Sequence, residues 1–246
     1  MKSKFPSRVI FDFPLFRGGV EDFLSVLFSE SRPQCVAYLN AHTVNLAHSE
    51  PNFRRTLQQM DLLYADGMSL VKTAAKVGRP IEERINAGDF FTRFLWKCVT
   101  SEATVAFVGS ANGVAEKAAA ELQKNLPQSP IQFTHHGYFF ASASQKETLL
   151  KQLKTVNPKY LLLGLGSPIQ EELALEWAVE LPETTIWCVG ALFEYSAGRK
   201  RAPAWVREIG AEWVVRLCLE PGRLWRRYLI GNAKYLYHEY CWRKNL

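Results

Sequence analysis

The most chemically suggestive stretch of this chain is Tyr64-Ala65-Asp66-Gly67-Met68, where a carboxylate and a glycine separate two apolar patterns. Residues 62–65 are an apolar run that predicts a short strand, and the apolar periodicity of residues 68–77 predicts a helix. Asp66 then stands at the carboxyl edge of a sheet, where α/β proteins bind their ligands. A carboxylate held there can take the proton of an attacking hydroxyl. Asp is also a preferred helix N-cap, and on these residues alone the cap is the stronger reading. The other junctions of the chain change that balance.

Residues 34–39 predict a strand ending at Asn40, with Ala41-His42-Thr43-Val44-Asn45 opening a helix. Residues 103–108, 131–134, 160–163 and 185–189 predict further strands. They end at Gly109, at His135-His136-Gly137, at Gly164-Leu165-Gly166-Ser167-Pro168 and at Gly190-Ala191, with Pro168 suited to the first position of a helix. Six such junctions share one sheet edge. Glycines there let a ligand approach the backbone, and helix N-termini offer N–H groups to phosphates, which points to a nucleotide-type pocket. Gly164-x-Gly166 lacks a third glycine, since position 169 is Ile, and no Walker lysine follows any glycine loop. Hydride transfer and P-loop ATP hydrolysis are therefore disfavoured. Adjacent residues on a strand point to opposite faces, so His135-His136 is a poor metal pair. The five Asp residues stand at 12, 22, 61, 66 and 89, so no Asp-x-Asp site for a metal–nucleotide complex exists. No G-x-S-x-G elbow offers an esterase-type nucleophile.

The elements that must position these residues alternate strand and helix, which predicts an α/β, Rossmann-like, mainly parallel sheet with helices on both faces. Ahead of it, residues 9–13 predict one strand, followed by a Gly18-Gly19 turn and an amphipathic helix. The chain has 246 residues, 48% of them hydrophobic, enough for one large domain with an appendage. Its five scattered cysteines argue for a reducing compartment and against disulfides or a zinc site. Residues 1–8 are polar and basic with no apolar segment behind them, and no apolar run approaches the ~18 residues of a membrane span. A cytoplasmic protein without integral membrane segments is expected.

Charge divides the chain at residue 198. Residues 1–198, read as the catalytic core, carry a net charge of −1, whereas residues 199–246 carry +7 and four of the seven tryptophans. This second segment reads as a basic, aromatic-rich helical appendage whose partner is an anionic surface, membrane or nucleic acid. Trp205, Ile209, Trp213 and Leu217 recur at every fourth position, an apolar stripe that fits an interfacial helix better than a base-stacking platform. A core-facing helix produces the same stripe.

Several segments in order resemble the WecG/TagA/CpsF family of bacterial glycosyltransferases over nearly the whole length. They are Leu39-Asn40-Ala41-His42-Thr43-Val44-Asn45, Tyr64-Ala65-Asp66-Gly67, Arg84 with Gly88-Asp89, and Gly164-Leu165-Gly166-Ser167-Pro168-Ile169-Gln170-Glu171. The most specific is Val189-Gly190-Ala191-Leu192-Phe193-Glu194-Tyr195-Ser196-Ala197-Gly198-Arg199-Lys200-Arg201-Ala202-Pro203, continuing into Glu212-Trp213, Arg216-Leu217, Glu220-Pro221 and Arg223. The resemblance implies inverting transfer of a sugar from a UDP-sugar to an undecaprenyl-diphosphate-linked acceptor, on the inner face of the plasma membrane, in polysaccharide or teichoic acid biosynthesis. It implies Asp66 as general base and donor contacts from Asn40, Arg84 and Gln170; Thr43, the sheet-edge glycines Gly109, Gly137 and Gly166, and Glu194 complete the expected donor site. It implies acceptor-diphosphate contacts from Arg216, Arg223 and Arg226, an appendage docked on an anionic membrane, and no cofactor or metal. Two positions depart from the family pattern: Ile169 replaces a frequent Lys, and Glu194 replaces a frequent Asp.

Two other readings compete: a nucleic-acid-binding protein using the basic segment, and a non-catalytic nucleotide-sugar-binding subunit. Asp66 disfavours the second. A homo-oligomer is compatible with either. The missing Asp-x-Asp generates a direct expectation: sugar transfer by the purified protein should persist in excess EDTA. A strict requirement for added Mg²⁺ or Mn²⁺ would show that the leaving nucleotide is stabilised in another way.

Overall fold

The structure is a computed structural model describing residues 4–140, 142–203, 206–207 and 210–246, apart from the side chain of Arg223. Eight strands form one sheet: β1 (Ser7–Ile10), β2 (Phe13–Phe16), β3 (Cys35–Leu39), β4 (Leu62–Ala65), β5 (Val105–Gly109), β6 (Ile131–His135), β7 (Tyr160–Gly164) and β8 (Thr185–Cys188). Their order is β1-β2-β4-β3-β8-β7-β5-β6, and every pairing is parallel except β1 with β2. The sheet is the expected Rossmann-like one.

The central strands are buried on both faces and alternate between two cores. Ala37, Leu39, Leu63, Val108, Leu163 and Ile186 face one core, together with α2 (Ala41–Ser49), α3 (Pro51–Gln59), α4 (Met68–Lys76), α7 (Ala143–Val156) and α8 (Ile169–Glu180). Val36, Tyr38, Tyr64, Phe107, Leu162 and Trp187 face the other, together with α1 (Val20–Leu27), α5 (Ala87–Thr100), α6 (Val114–Gln123) and α9 (Leu192–Ser196). This period-2 division lets one run of apolar residues supply both layers. Within the second core the Trp187 indole donates to the Tyr64 hydroxyl at 3.0 Å.

One sequence expectation is corrected here. Residues 9–13 do not form a single strand, because the chain reverses at Phe11 and Asp12, both left-handed with φ of 51° and 65°. The turn carries no glycine, so the usual hairpin signal is missing. Phe11 is held in this unfavourable conformation by burial, with its ring 5.0 Å from Trp242 and 5.5 Å from Tyr235. The start of α8 also shifts by one residue, to Ile169, with Pro168 at its N-cap.

Those two aromatic partners belong to the basic segment. It comprises α10 (Glu212–Leu219), α11 (Pro221–Trp225), a π-helical turn (Arg226–Ile230) and α12 (Gly231–Lys244). The helix breaks before Pro221, with Glu220 at φ −137° and ψ 61° between α10 and α11. α12 packs against α2 and α4. Asn45 donates to the Gly231 carbonyl at 2.7 Å, and the Thr73 and Tyr235 hydroxyls lie 2.8 Å apart. Buried Glu239 pairs with Lys76 at 2.8 Å, and Trp242 donates to Asp12 at 3.3 Å. The charge boundary at 198 is therefore not a packing boundary, since α12 shares the core. Of the expected apolar stripe, Trp205 and Ile209 lie outside the described residues, and Trp213 and Leu217 are half-buried. Among the described residues, no helix is long and apolar enough to cross a membrane.

Trp242→Ala should cost about 3 kcal/mol of stability in urea denaturation, as expected for loss of a large buried aromatic. Tyr237→Ala, on the exposed side of α12, should stay within about 0.5 kcal/mol of the parent. Equal effects would mean that α12 is not locked to the hairpin.

Candidate active site

Asp66 follows β4, and Gly67 occupies the N-cap of α4 without any side-chain cap. The carboxylate is engaged elsewhere. Asn86 donates to its Oδ1 at 2.6 Å and Asn40 to its Oδ2 at 3.4 Å. Each amide is oriented by its other end. Asn40 is the N-cap of α2, and its Oδ1 accepts from the backbone of His42 and Thr43 at 3.0 and 3.1 Å. Thr43 returns the contact by accepting the Asn40 N–H at 2.8 Å, which completes a capping box. The Asn86 Oδ1 accepts from Arg201 at 2.6 Å. With both amide oxygens occupied, both NH₂ groups are left for Asp66.

Burial raises the Asp66 pKa above the ordinary value, while Arg84 and Arg216 pull it down, Glu212 pushes it up, and the Asn40 hydrogen bond lowers it. The arginines belong to a charged cluster. Arg84 pairs with Asp89 at 2.5 Å and with Glu212 at 3.5 Å. Arg201 pairs with Asp89 at 3.0 Å, Arg216 with Glu212 at 2.6 Å, and Arg207 also with Asp89. Four guanidinium groups around two carboxylates leave an excess of positive charge beside Asp66. That excess favours the ionised form of Asp66 and suits anionic ligands.

A cavity of about 540 Å³ opens over the carboxyl ends of β3, β4, β5, β7 and β8, with Asp66 in its wall. The chain leaves β5 toward β6 and leaves β7 in the opposite direction toward β8, so these paired strands form a topological switch point. Asn40, Gly137, Gly166, Glu194 and Arg216 line this cavity, as does Arg227. At Gly166, φ is +79° and a Cβ would meet nothing within 4 Å, so its backbone is open to a ligand. Other expected donor residues stand behind the wall. A Cβ on Gly109 would lie 2.4 Å from the Gly164 carbonyl, so that glycine serves the approach of two backbones. Thr43 is buried in the capping box. Gln170 is also buried: it accepts from the Gly190 N–H at 3.1 Å and donates to Glu171 at 2.8 Å and to the Tyr38 hydroxyl at 3.3 Å. Burial raises the Glu171 carboxyl to about 7 against hydrogen bonds from Gln170 and Ser167.

Arg84 faces a second cavity of about 400 Å³ between α4 and the pair α10 and α12. The two cavities share Asn40, His42, Asp66, Asn86, Arg216 and Arg227, so Asp66 stands on their common wall. Arg226 is exposed over the Trp225 ring and lines neither, and the side chain of Arg223 lies outside the described residues. Sequence reasoning missed Asn86, Arg201, Arg227 and Glu212. Arg201 stands in the family-like run, but its contact with Asn86, 115 residues away, has no local signal.

Among the described residues no group of three or more His, Cys, Asp or Glu could hold a metal ion. The profile of the WecG/TagA/CpsF family of glycosyl transferases matches residues 9–246. The chain belongs to this family. It is 30% identical over 197 residues to the N-acetylglucosaminyldiphosphoundecaprenol N-acetyl-beta-D-mannosaminyltransferase of Staphylococcus aureus strain NCTC 8325, covering 79% of this chain and 73% of that one. The protein of the same name from strain MRSA252 is 29% identical over the same coverage. As a WecG/TagA/CpsF member the protein is a glycosyltransferase, and the sheet-edge cavity with Asp66 is its candidate active site.

Asn86→Ala removes a hydrogen bond to the charged form of Asp66, which raises that carboxyl's pKa further. The acid limb of the kcat/KM profile should therefore move to higher pH, since the base must be ionised to act. An unchanged limb would separate Asp66 from the titration that governs activity.

Proposed function

We propose that this glycosyltransferase transfers a sugar, with inversion, from a UDP-sugar to an undecaprenyl-diphosphate-linked acceptor, in cell-surface polysaccharide or teichoic acid biosynthesis. The observation that carries the reading is one half-buried carboxylate, aimed by two oriented amides, on the wall shared by two cavities. One cavity suits each substrate, and the base lies where they meet. The acceptor hydroxyl gives its proton to Asp66 as its oxygen attacks the anomeric carbon. The bond to UDP breaks on the opposite side, and its electron pair stays on the diphosphate oxygen. Arg216 and the open backbone at Gly166 are available to that growing charge. The relatives' names make UDP-N-acetylmannosamine and N-acetylglucosaminyl-diphosphoundecaprenol the first pair to assay. The corresponding uronic acid and hexoses follow.

The nucleic-acid reading is not favoured, because Arg199, Lys200, Arg201, Arg216 and Arg227 line the cavity beside Asp66. Peripheral membrane attachment fits the outer side of α11, the π-helical turn and α12. Trp225, Leu229, Ile230, Leu236, Tyr237 and Tyr240 are exposed there, beside Arg226, Lys234, Arg243 and Lys244. Apolar residues beside basic ones suit an anionic interface, where each basic residue contributes about 1 kcal/mol.

Asp66→Asn should lower kcat by about 10²-fold or more and leave UDP affinity near the parent value. A folded variant with near-normal turnover would remove Asp66 as the base.

A further inference from the structure

The second cavity is more specialised than a general acceptor cleft. Besides Asp66, its acidic residues are already paired with cations: Glu212 with Arg216 and Arg84, and Glu239 with Lys76 at 2.8 Å and Arg243 at 3.8 Å. His42 is pushed down to about 4 by burial and by Arg227, so it adds no positive charge near neutral pH. Lys72 and Arg227 remain, and neither has an ion-pair partner among the described residues. Lys72 projects from α4, the helix that begins directly after Asp66. It stands four residues beyond Met68, about 6 Å further along the axis at about 1.5 Å per residue, roughly the span of one pyranose ring. On the side facing α10 and α12 the wall is apolar, with Met68, Trp213 and Leu236. Leu236 is 59% exposed, and it joins the cavity to the outer apolar side of α12.

Resting on the reading of the preceding subsection, we propose that the cavity between α4 and α12 is the acceptor subsite, with Lys72 as a contact of the acceptor's diphosphate. The acceptor sugar lies against Asp66 with its hydroxyl toward the donor cavity. One ring away, the diphosphate meets Lys72 and Arg227. The prenyl chain leaves over Leu236 onto the apolar face that α12 turns outward. The order base, ring, cation and apolar exit follows the order hydroxyl, sugar, diphosphate and lipid in the substrate. The donor cavity has no such apolar exit in the direction of α12.

The test uses the full chain with a UDP-sugar donor and two acceptors: N-acetylglucosamine diphosphate on a short polyprenol, and N-acetylglucosamine joined to the same alcohol without phosphate. Lys72→Glu should raise KM for the diphosphate acceptor about tenfold or more, the value of one charge-assisted hydrogen bond. Lys72→Arg should largely restore it. Donor KM should not move, and neither should KM for the acceptor lacking phosphate. Lys97→Glu, an exposed lysine on α5, should leave both acceptor values unchanged and so control for net charge. An unchanged KM for the diphosphate acceptor in Lys72→Glu overturns the placement. So does a parallel rise in donor KM, which would assign Lys72 to the UDP side. Failure of the parent protein to transfer to any lipid diphosphate sinks the underlying functional reading instead, and is told apart because it precedes any substitution.

Discussion

The site depends on keeping one carboxylate ionised where the fold has half removed it from water. Burial raises the Asp66 pKa and so works against its charged form. Two devices oppose this. The amides of Asn40 and Asn86 donate to its two oxygens, and an arginine-rich cluster imposes a positive field. Neither amide could be trusted to point correctly without a partner for its oxygen. The capping box of α2 occupies one and Arg201 the other. Local helix-capping chemistry and a long-range ion cluster thus meet at the same two atoms.

Much of that field comes from the segment that composition sets apart. Arg84 belongs to the core, and residues 199–246 add Arg201, Arg207 and Arg216. The ion pairs of Arg201, Arg207 and Glu212 with Arg84 and Asp89 tie that segment to the site. The seating of α12 against α2, α4 and the hairpin ties it to the core. The strained Phe11 turn therefore supports α12, which follows the π-helical turn that carries Arg227 to the cavities.

Strand alternation, the two-faced sheet and the carboxyl-edge position of Asn40 and Asp66 were all legible in the sequence, because each follows from a local period or a local junction. The family-like runs extended that reading to the reaction. The hairpin was not legible, since its turn uses Phe11 and Asp12 and lacks glycine. Nor was the work of Gly109, whose reason is a carbonyl at Gly164, 55 residues away.

The basic segment shows the boundary most clearly. The resemblance pointed to Arg216, Arg223 and Arg226. Among the described side chains, Arg216 and Arg227 line both cavities, while Arg226 lines neither. Sequence by itself determined the elements, the carboxylate and the location of the charge, because these depend on neighbours within a few residues. Tertiary structure alone decided which polar groups orient Asp66, which glycines face a ligand, and which arginines face the site. Those outcomes depend on contacts between residues some 55 to 190 apart in the chain, for which a single sequence carries no local pattern.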